Sequence, residues 1–414
     1  MLSCIRWRTL YWLGWLCSLP ALALAEGQTF DLQMLLDKAV AENPTIAVSK
    51  AQTAAAAAGV TVSRSYYNPD LEIMAGPARY RNAPGTTNQN YGVTISQPLD
   101  FLSTRASRRE YAEQQFNYAE KGIHTTSFDL RNQIKAAYLN VLLRQQIMEM
   151  LGANLALLQQ VQSRVKRKVE IGEAARYELI KADTELLATE RDYASAQTRI
   201  DEAKAMLHGM IGNMPDAFEI KRQLPTISNL PDITELRRSA ENNPYLQQLQ
   251  SARDSAEAKL KLEQALRFPG VTVKSDFTQD PDLNTLRVGV VVPLPVWNRR
   301  EGQIAQAVAG IEEANANIKQ QQLLLRKEID SAYQRTVIAS NQLKAFENGL
   351  LQQSQATLSR AEAAYKFGER GILEYLDAQR VNREVKRDYL IAKFDYFFSV
   401  LQIERFIGSD LVQP

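Results

Sequence analysis

The sequence is poor in cysteine: of its 414 residues only Cys4 and Cys17 are cysteines, and both fall within the first 25. The remainder therefore has no disulfide, no thiolate metal ligand and no cysteine nucleophile. Histidine is as scarce, and His124 and His208 stand alone with no second ligand at useful spacing, so neither a bound metal nor a cofactor is expected. Beyond the N-terminus there is no long apolar run, and the mean hydropathy is −0.31. A spanning helix is excluded there. Such a chain crosses a membrane only as a β-barrel, because hydrocarbon offers nothing to unpaired backbone groups. Charge of one sign is also missing: the formal net charge is +2, which gives no reason to expect a nucleic-acid partner. No Ser/His/Asp set, metal-ligand cluster or phosphate loop appears, so an enzyme is not expected.

What is present begins with an export signal over residues 1–25. Arg6 and Arg8 precede an apolar stretch from Leu10 to Leu24, and Ala23-Leu24-Ala25 has the small-x-small form of a cleavage site. The exported chain would start at Glu26. Losing Arg6 and Arg8, with no acid in the segment, takes the formal charge from +2 to 0. Cys17 follows Leu16 where lipid attachment wants a small residue, so lipidation is not expected.

The strongest internal signal is a duplication. Asn43-Pro44 recurs as Asn243-Pro244, Asn68-Pro69 as Phe268-Pro269, and Ile211-Gly212-Asn213 as Ile407-Gly408-Ser409. Ile171-Gly172-Glu173, with Glu178 and Ala182, matches Phe367-Gly368-Glu369, with Glu374 and Ala378, at a constant offset of 196 residues. The expected organisation is a first repeat over 26–212, a proline-bearing linker over 213–231, a second repeat over 232–408 and a tail over 409–414.

Each repeat reads as helix, strand pair, very long helix, shorter returning helix. The first helical stretches run from Phe30 to about Ser65 and from Ile233 to Leu266, each broken near its start by the Asn-Pro pair. Strands are expected over Asp70 to Arg81, Tyr91 to Leu99, Val271 to Gln279 and Thr285 to Leu294, lengths that suit a bilayer. The long tracts run from Leu102 to Glu170 and from Trp297 to Phe367; the returns run from Arg176 to Ile211 and from Leu373 to Ile407. In the second tract Ile304, Val308, Ile311, Ile318, Leu325, Ile329, Ala332, Leu343, Phe346 and Leu350 fall at spacings of four and three, a coiled-coil seam that Asn315, Gln322 and Thr336 interrupt. Leu286, Val288, Val290, Val292 and Leu294 form one fully apolar strand face, as a lipid-facing wall requires.

Aromatics recur where helix meets strand: Tyr66 and Tyr67, Phe101, Phe268 and Trp297. A membrane barrel keeps such side chains in a belt at the bilayer surface. Four strands do not close a barrel alone, so the chain is expected to oligomerise.

This arrangement resembles the TolC-type outer-membrane factor family over nearly the whole chain, from about Phe30 to Gly408. The stretch from Tyr365-Lys366-Phe367-Gly368-Glu369-Arg370 to Asp377-Ala378-Gln379 is similar to that family's turn at the periplasmic tip. The resemblance implies a mixed α+β fold, mostly long α-helices, in a homotrimer. Four strands per chain, twelve in all, close a β-barrel among outer-membrane lipid, continuous with a periplasmic α-helical barrel. It implies docking on a periplasmic adaptor and, through it, an inner-membrane pump, with the RND type favoured. The lack of a lipidation box and the compact length look closest to the heavy-metal efflux branch, and the cargo expected from the resemblance is metal cations or drugs. The exit duct of a type I protein secretion system and a periplasmic structural coiled coil are the rival readings.

A passive duct needs no catalytic residue, so the candidates are gate and docking groups. Glu374 and Asp377 lie three apart on one helix face and match the acidic pair that the family places at its periplasmic entrance. Gly172, Glu173, Gly368, Glu369 and Arg370 form the expected docking tips, the glycines permitting a tight turn. Arg164, Lys166, Arg167 and Lys168 make a basic cluster before the first tip, expected as an exposed face.

Overall fold

The computed structural model of the protein describes residues 28–79, 85, 87–215, 218–268 and 270–413. The expected leader, Asn82 to Pro84 and Thr86 of the first strand turn, and Pro269 lie outside them.

In the first half, a short strand β1 (Gln28–Phe30) leads into α1 (Leu32–Glu42) and α2 (Pro44–Arg64). Strands β2 (Asp70–Arg79) and β3 (Thr87–Leu99), the helix α3 (Leu102–Glu170) and the returning α4 (Arg176–Ile211) follow. Strands β4 (Phe218–Ile220) and β5 (Thr226–Ile227) occupy the stretch between the halves. The second half has α5 (Ile233–Ser239), α6 (Pro244–Ala265), β6 (Val271–Gln279), β7 (Asn284–Val291), α7 (Glu301–Ala345), α8 (Leu351–Lys366) and α9 (Ile372–Ile407), and β8 (Val412–Gln413) comes after it. The 69 residues of α3 reach ~100 Å at ~1.5 Å per residue.

The repeated Asn-Pro and Ile-Gly pairs turn out to be two sides of one joint. Asn43 caps α2, its Oδ1 accepting from the Thr45 N–H at 2.7 Å, and Pro44 fills the first helical position where no donor is needed. Its Nδ2 donates to the Met210 carbonyl at 2.6 Å, in the last turn of α4. Asn243 does the same for α6 and α9: Oδ1 accepts from Tyr245 N at 3.0 Å, and Nδ2 donates to the Phe406 carbonyl at 3.0 Å. One buried amide thus satisfies a helix start and a helix end together. Gly408, at φ 75°, lies so close that a Cβ there would stand 2.6 Å from Pro244 Cδ.

Strands β2, β3, β6 and β7 form one antiparallel sheet in that order, leaving β2 and β7 as free edges. The register puts Leu71 beside Ile95, Ile73 beside Val93, Val93 beside Phe277, and Phe277 beside Leu286. Side chains alternate across a sheet, so these residues share a face. That face is apolar and open, with Ile73 71% and Val288 74% exposed. The other face carries Glu72, Thr94, Asp276 and Arg287 in one transverse row. Thr94 is buried and donates to Asp276 at 3.0 Å.

The main core surrounds the middle of α3, where Ile134, Tyr138, Leu139 and Leu142 meet Leu35 and Leu36 of α1, Leu207 and Ile211 of α4, and Phe394, Val400 and Ile403 of α9. We call this region the waist. A buried ion pair lies within it: Lys135 Nζ reaches Glu404 Oε1 at 2.5 Å, and the exposed Asp410 Oδ1 approaches the same Nζ at 2.6 Å. Glu404 Oε2 accepts from the Leu411 and Val412 N–H groups at 2.9 and 2.7 Å, which seats β8 against β5. A second core near the far ends of α3 and α9 holds Leu158, Val161, Val165, Leu358, Ile372 and Tyr375.

Several expectations need correction. Phe30 belongs to a strand, pairing through β1 with β4 in parallel. The stretch 213–231 is not a plain linker: besides β4 and β5, its Lys221 carbonyl accepts from the Tyr138 hydroxyl at 2.6 Å. Strand β3 begins at Thr87, four residues earlier than expected, and β2 is described to Arg79. Strand β7 ends at Val291, since Pro293 and Pro295 have no N–H for a ladder. The second long tract starts at Glu301 and is interrupted at Phe346–Leu350 by a π turn in which Gly349 adopts φ 156°. Its seam is buried from Ile318 through Leu325, Ile329 and Ala332, whereas Val308 and Leu350 are exposed and Leu343 and Phe346 are not buried, the last two seam positions falling in the π turn. Thr336 is buried too, its hydroxyl donating to the Ala332 carbonyl at 2.9 Å, so this polar interruption is satisfied within the helix.

Candidate functional site

The α3–α4 and α8–α9 turns share one backbone solution. In the first, the Glu173 N–H bonds the Lys168 carbonyl at 2.8 Å and the Gly172 N–H bonds Val169 at 3.1 Å; in the second, Glu369 bonds Ala364 at 2.9 Å and Gly368 bonds Tyr365 at 3.2 Å. This is the Schellman cap, which needs a left-handed residue after the helix. Gly172 and Gly368 supply it at φ 80° and 76°. Nothing lies within 4 Å of a Cβ built on either, so the requirement is conformational and the surrounding space is open. Ile171 and Phe367, the residues just before, are 69% and 81% exposed.

The two predicted acids sit on the first turns of α9, exposed, and neither stands alone. Glu374 Oε1 lies 2.9 Å from Arg370, and Asp377 Oδ1 lies 2.7 Å from Arg380, which also approaches Glu384 at 3.8 Å. The hydrogen bond to Asp377, followed by the attraction of its charge, holds the Arg380 guanidinium above its ordinary range. Arg370, expected as a docking residue, is thus also the counter-ion of an expected gate residue. Each carboxylate carries its own cation, so the face is acidic in pattern and close to neutral in sum. Glu173 and Glu369 are exposed. Among the described residues, Arg164, Lys166 and Arg167 form no ion pair, and Lys168 lies 5.0 Å from the centre of the Tyr365 ring; this agrees with an exposed basic face.

Sequence reasoning missed what lies behind these residues. The Tyr365 and Tyr375 rings stack 5.9 Å apart, fastening α8 to α9 at the turn. Further along, Gln379 Nε2 donates to Asn154 Oδ1 at 2.5 Å and Asn382 Nδ2 to Ser354 Oγ at 3.1 Å, all buried. Arg383 reaches the Thr189 hydroxyl at 3.2 Å. A polar belt therefore ties α3, α4, α8 and α9 roughly two to four turns from the tips. Arg380 was readable from its spacing of three from Asp377; Asn154 and Ser354 had no signal beyond an amide or hydroxyl in a helical run.

The predicted junction aromatics are all exposed, Trp297 at 96%. They stand between α2 and β2 (Tyr66, Tyr67), β3 and α3 (Phe101), α6 and β6 (Phe268), and β7 and α7 (Trp297). His124 is exposed; His208 Nε2 lies 3.1 Å from the Met214 carbonyl. No group of three or more His, Cys, Asp or Glu among the described residues is placed to hold a metal ion.

Comparison with known proteins gives these features a context. The cobalt-zinc-cadmium resistance protein CzcC of Cupriavidus metallidurans is 20% identical over 91% of this chain and 90% of its own. The outer membrane protein TolC of Vibrio cholerae is 24% identical over 92% of this chain and 91% of its own. The crystal structure of CusC, described by its folding and transmembrane channel formation, superposes with a TM-score of 0.76 at 18% identity, covering 92% of each chain. The sequence profile of the outer membrane efflux proteins matches residues 35–213 and 236–409. The chain therefore belongs to the outer membrane efflux protein family, the TolC-type factors, which are passive channels and not enzymes.

Proposed function

We propose that the chain is one subunit of a trimeric channel-tunnel in the outer membrane, the passive exit duct of a tripartite efflux system. The carrying observation is a four-stranded sheet with two unpaired edges and an open apolar face, attached to helices on the order of 100 Å long. In lipid each unpaired backbone group costs about several kcal/mol, so the edges must pair with other copies. Three copies supply twelve strands, an even antiparallel number of the kind outer-membrane barrels use. The halves 26–212 and 232–408 are copies of one unit, each contributing a strand pair to the barrel and a helical hairpin to a periplasmic tunnel.

The tips at Gly172, Glu173, Gly368, Glu369 and Arg370 dock on a periplasmic adaptor joined to an inner-membrane pump of the RND type. Glu374 and Asp377 line the periplasmic entrance, where release of Arg370 and Arg380 would uncover six carboxylates across the trimer. The cargo is metal cations: the CzcC relative is named for resistance to cobalt, zinc and cadmium. Deleting this chain should sensitise cells to those cations and leave drug tolerance unchanged. Drug sensitivity without metal sensitivity would sink the cargo assignment. For docking, Gly368→Trp should abolish co-purification with the adaptor; intact co-purification contradicts the tip as its site.

A further inference from the structure

We propose that the four strand–helix junctions form a binding surface for anionic glycerophospholipid headgroups, with Arg105, Arg267 and Arg299 as the phosphate ligands. This rests on the reading that the sheet lies in a bilayer, and it goes beyond that reading in assigning residues and a lipid class.

The fold sets the junctions side by side. The strand order β2-β3-β6-β7 is matched below by α2 against α3, α3 against α6 and α6 against α7. Thr104 at the start of α3 donates to the Ala265 carbonyl at the end of α6 at 3.3 Å, which fixes two of the junctions at one level. Three arginines serve the four junctions: Arg105, four residues after Phe101, lies with its guanidinium 3.8 Å over the Tyr66 ring, Arg267 precedes Phe268, and Arg299 follows Trp297 by two residues.

Most acids at this level are already engaged, and Glu301, which opens α7 two residues after Arg299, is exposed and forms no ion pair among the described residues. Asp100 pairs with Arg108 at 2.7 Å, Glu113 with Arg64 and Arg109 at 3.3 and 3.4 Å, Glu110 with Lys261 at 2.7 Å, and Glu263 with Arg300. Arg105, Arg267 and Arg299 have no carboxylate partner among the described residues, and Arg267 and Arg299 are exposed. Asp70 sits on the polar side of the sheet, in register with Ser96 and on the face of Glu72. Aromatic side chains settle at headgroup level. A guanidinium without a carboxylate partner one step further from the hydrocarbon meets the phosphates, whose oxygens suit its planar fork; half-buried Arg105 also donates through Nη2 to the Arg64 carbonyl at 2.8 Å. The helices extend to the periplasmic side, where the leaflet is glycerophospholipid, so the occupant is a phospholipid of that leaflet.

Trp297 provides the test, because it is the one tryptophan outside residues 1–25. The exported protein is placed in vesicles of equal phosphatidylcholine and phosphatidylglycerol, with bromine on the acyl chains of one lipid or of both. Quenching with both lipids brominated reports insertion, and Trp297→Phe sets the background. The ratio of quenching by brominated phosphatidylglycerol to that by brominated phosphatidylcholine reports headgroup choice. We expect a ratio of roughly 3, since each arginine near an anionic surface adds a modest attraction, falling to about 1 in R105Q/R267Q/R299Q with insertion quenching unchanged. A wild-type ratio of about 1, or one that survives the triple substitution, overturns the headgroup site while leaving the barrel intact. Absence of quenching with both lipids brominated overturns the membrane reading and this proposal with it.

Discussion

Gly408 and Gly368 lie at opposite ends of α9 with the same backbone angle, φ 75° and 76°, in opposite surroundings. At the waist a Cβ on Gly408 would press on Pro244, whereas at the tip a Cβ on Gly368 would meet nothing. The charges follow the same division. Lys135 and Glu404 are paired at 1% and 0% exposure, while Arg370 and Glu374 are paired at 64% and 55%. One chemical vocabulary serves a packed bolt at one end and an adjustable surface at the other. The waist resists change because its groups have no water to fall back on; the tip tolerates it, as the proposed docking and gating role would require.

The sharpest break in this contrast is Lys135→Met. It leaves Glu404 and its two backbone donors buried without their cation, and should cost about 3–5 kcal/mol, read as a large fall in thermal unfolding midpoint. Gly408→Ala comes next, combining a left-handed alanine at ~1–2 kcal/mol with overpacking against Pro244 at ~1–3 kcal/mol. Gly368→Ala bears the first cost alone, so the midpoints of the two alanine variants should differ; equal losses would mean the waist joint is looser than its geometry.

Acidity refines the comparison. Burial outweighs Lys135 and the two N–H donors and holds the Glu404 carboxyl above its ordinary range. A carboxyl raised on folding contributes stability that is fully present below the ordinary carboxylate pKa and lost as pH rises through the elevated value. Glu404→Gln should therefore flatten the pH dependence of the unfolding midpoint across that interval. The smallest stability effect is expected from Glu374→Gln with Asp377→Asn, within about 1 kcal/mol for exposed pairs. That double variant should nonetheless lower the cation selectivity of the reconstituted channel, and unchanged selectivity would remove both residues from the entrance.

Much of the frame was readable because it is long and periodic. Helix α3 runs over the expected Leu102–Glu170, bounded by Phe101 and the Gly172 turn, and both strand pairs are present near their expected places, though β3 starts earlier and β7 ends earlier than alternation implied. The waist was not readable, since β1, β4, β5 and β8 have two or three residues each and pair with partners far along the chain. Lys135 and Glu404 look like any charged residues of a polar helix until the fold buries them. The interruption of the second tract did have a signal, Asn348-Gly349, which the surrounding helical pattern outweighed. At the tips, the turn glycines were legible from the repeat, and Glu374 and Asp377 from family resemblance. Their arginine partners needed the geometry.

The central claim is that the unpaired edges of this sheet close against other copies inside the outer membrane. Membranes from expressing cells, fractionated and run on a denaturing gel with and without boiling, test it most directly. The account predicts an outer-membrane band at three times the mass of the chain that collapses to one on heating. A soluble monomer would contradict it.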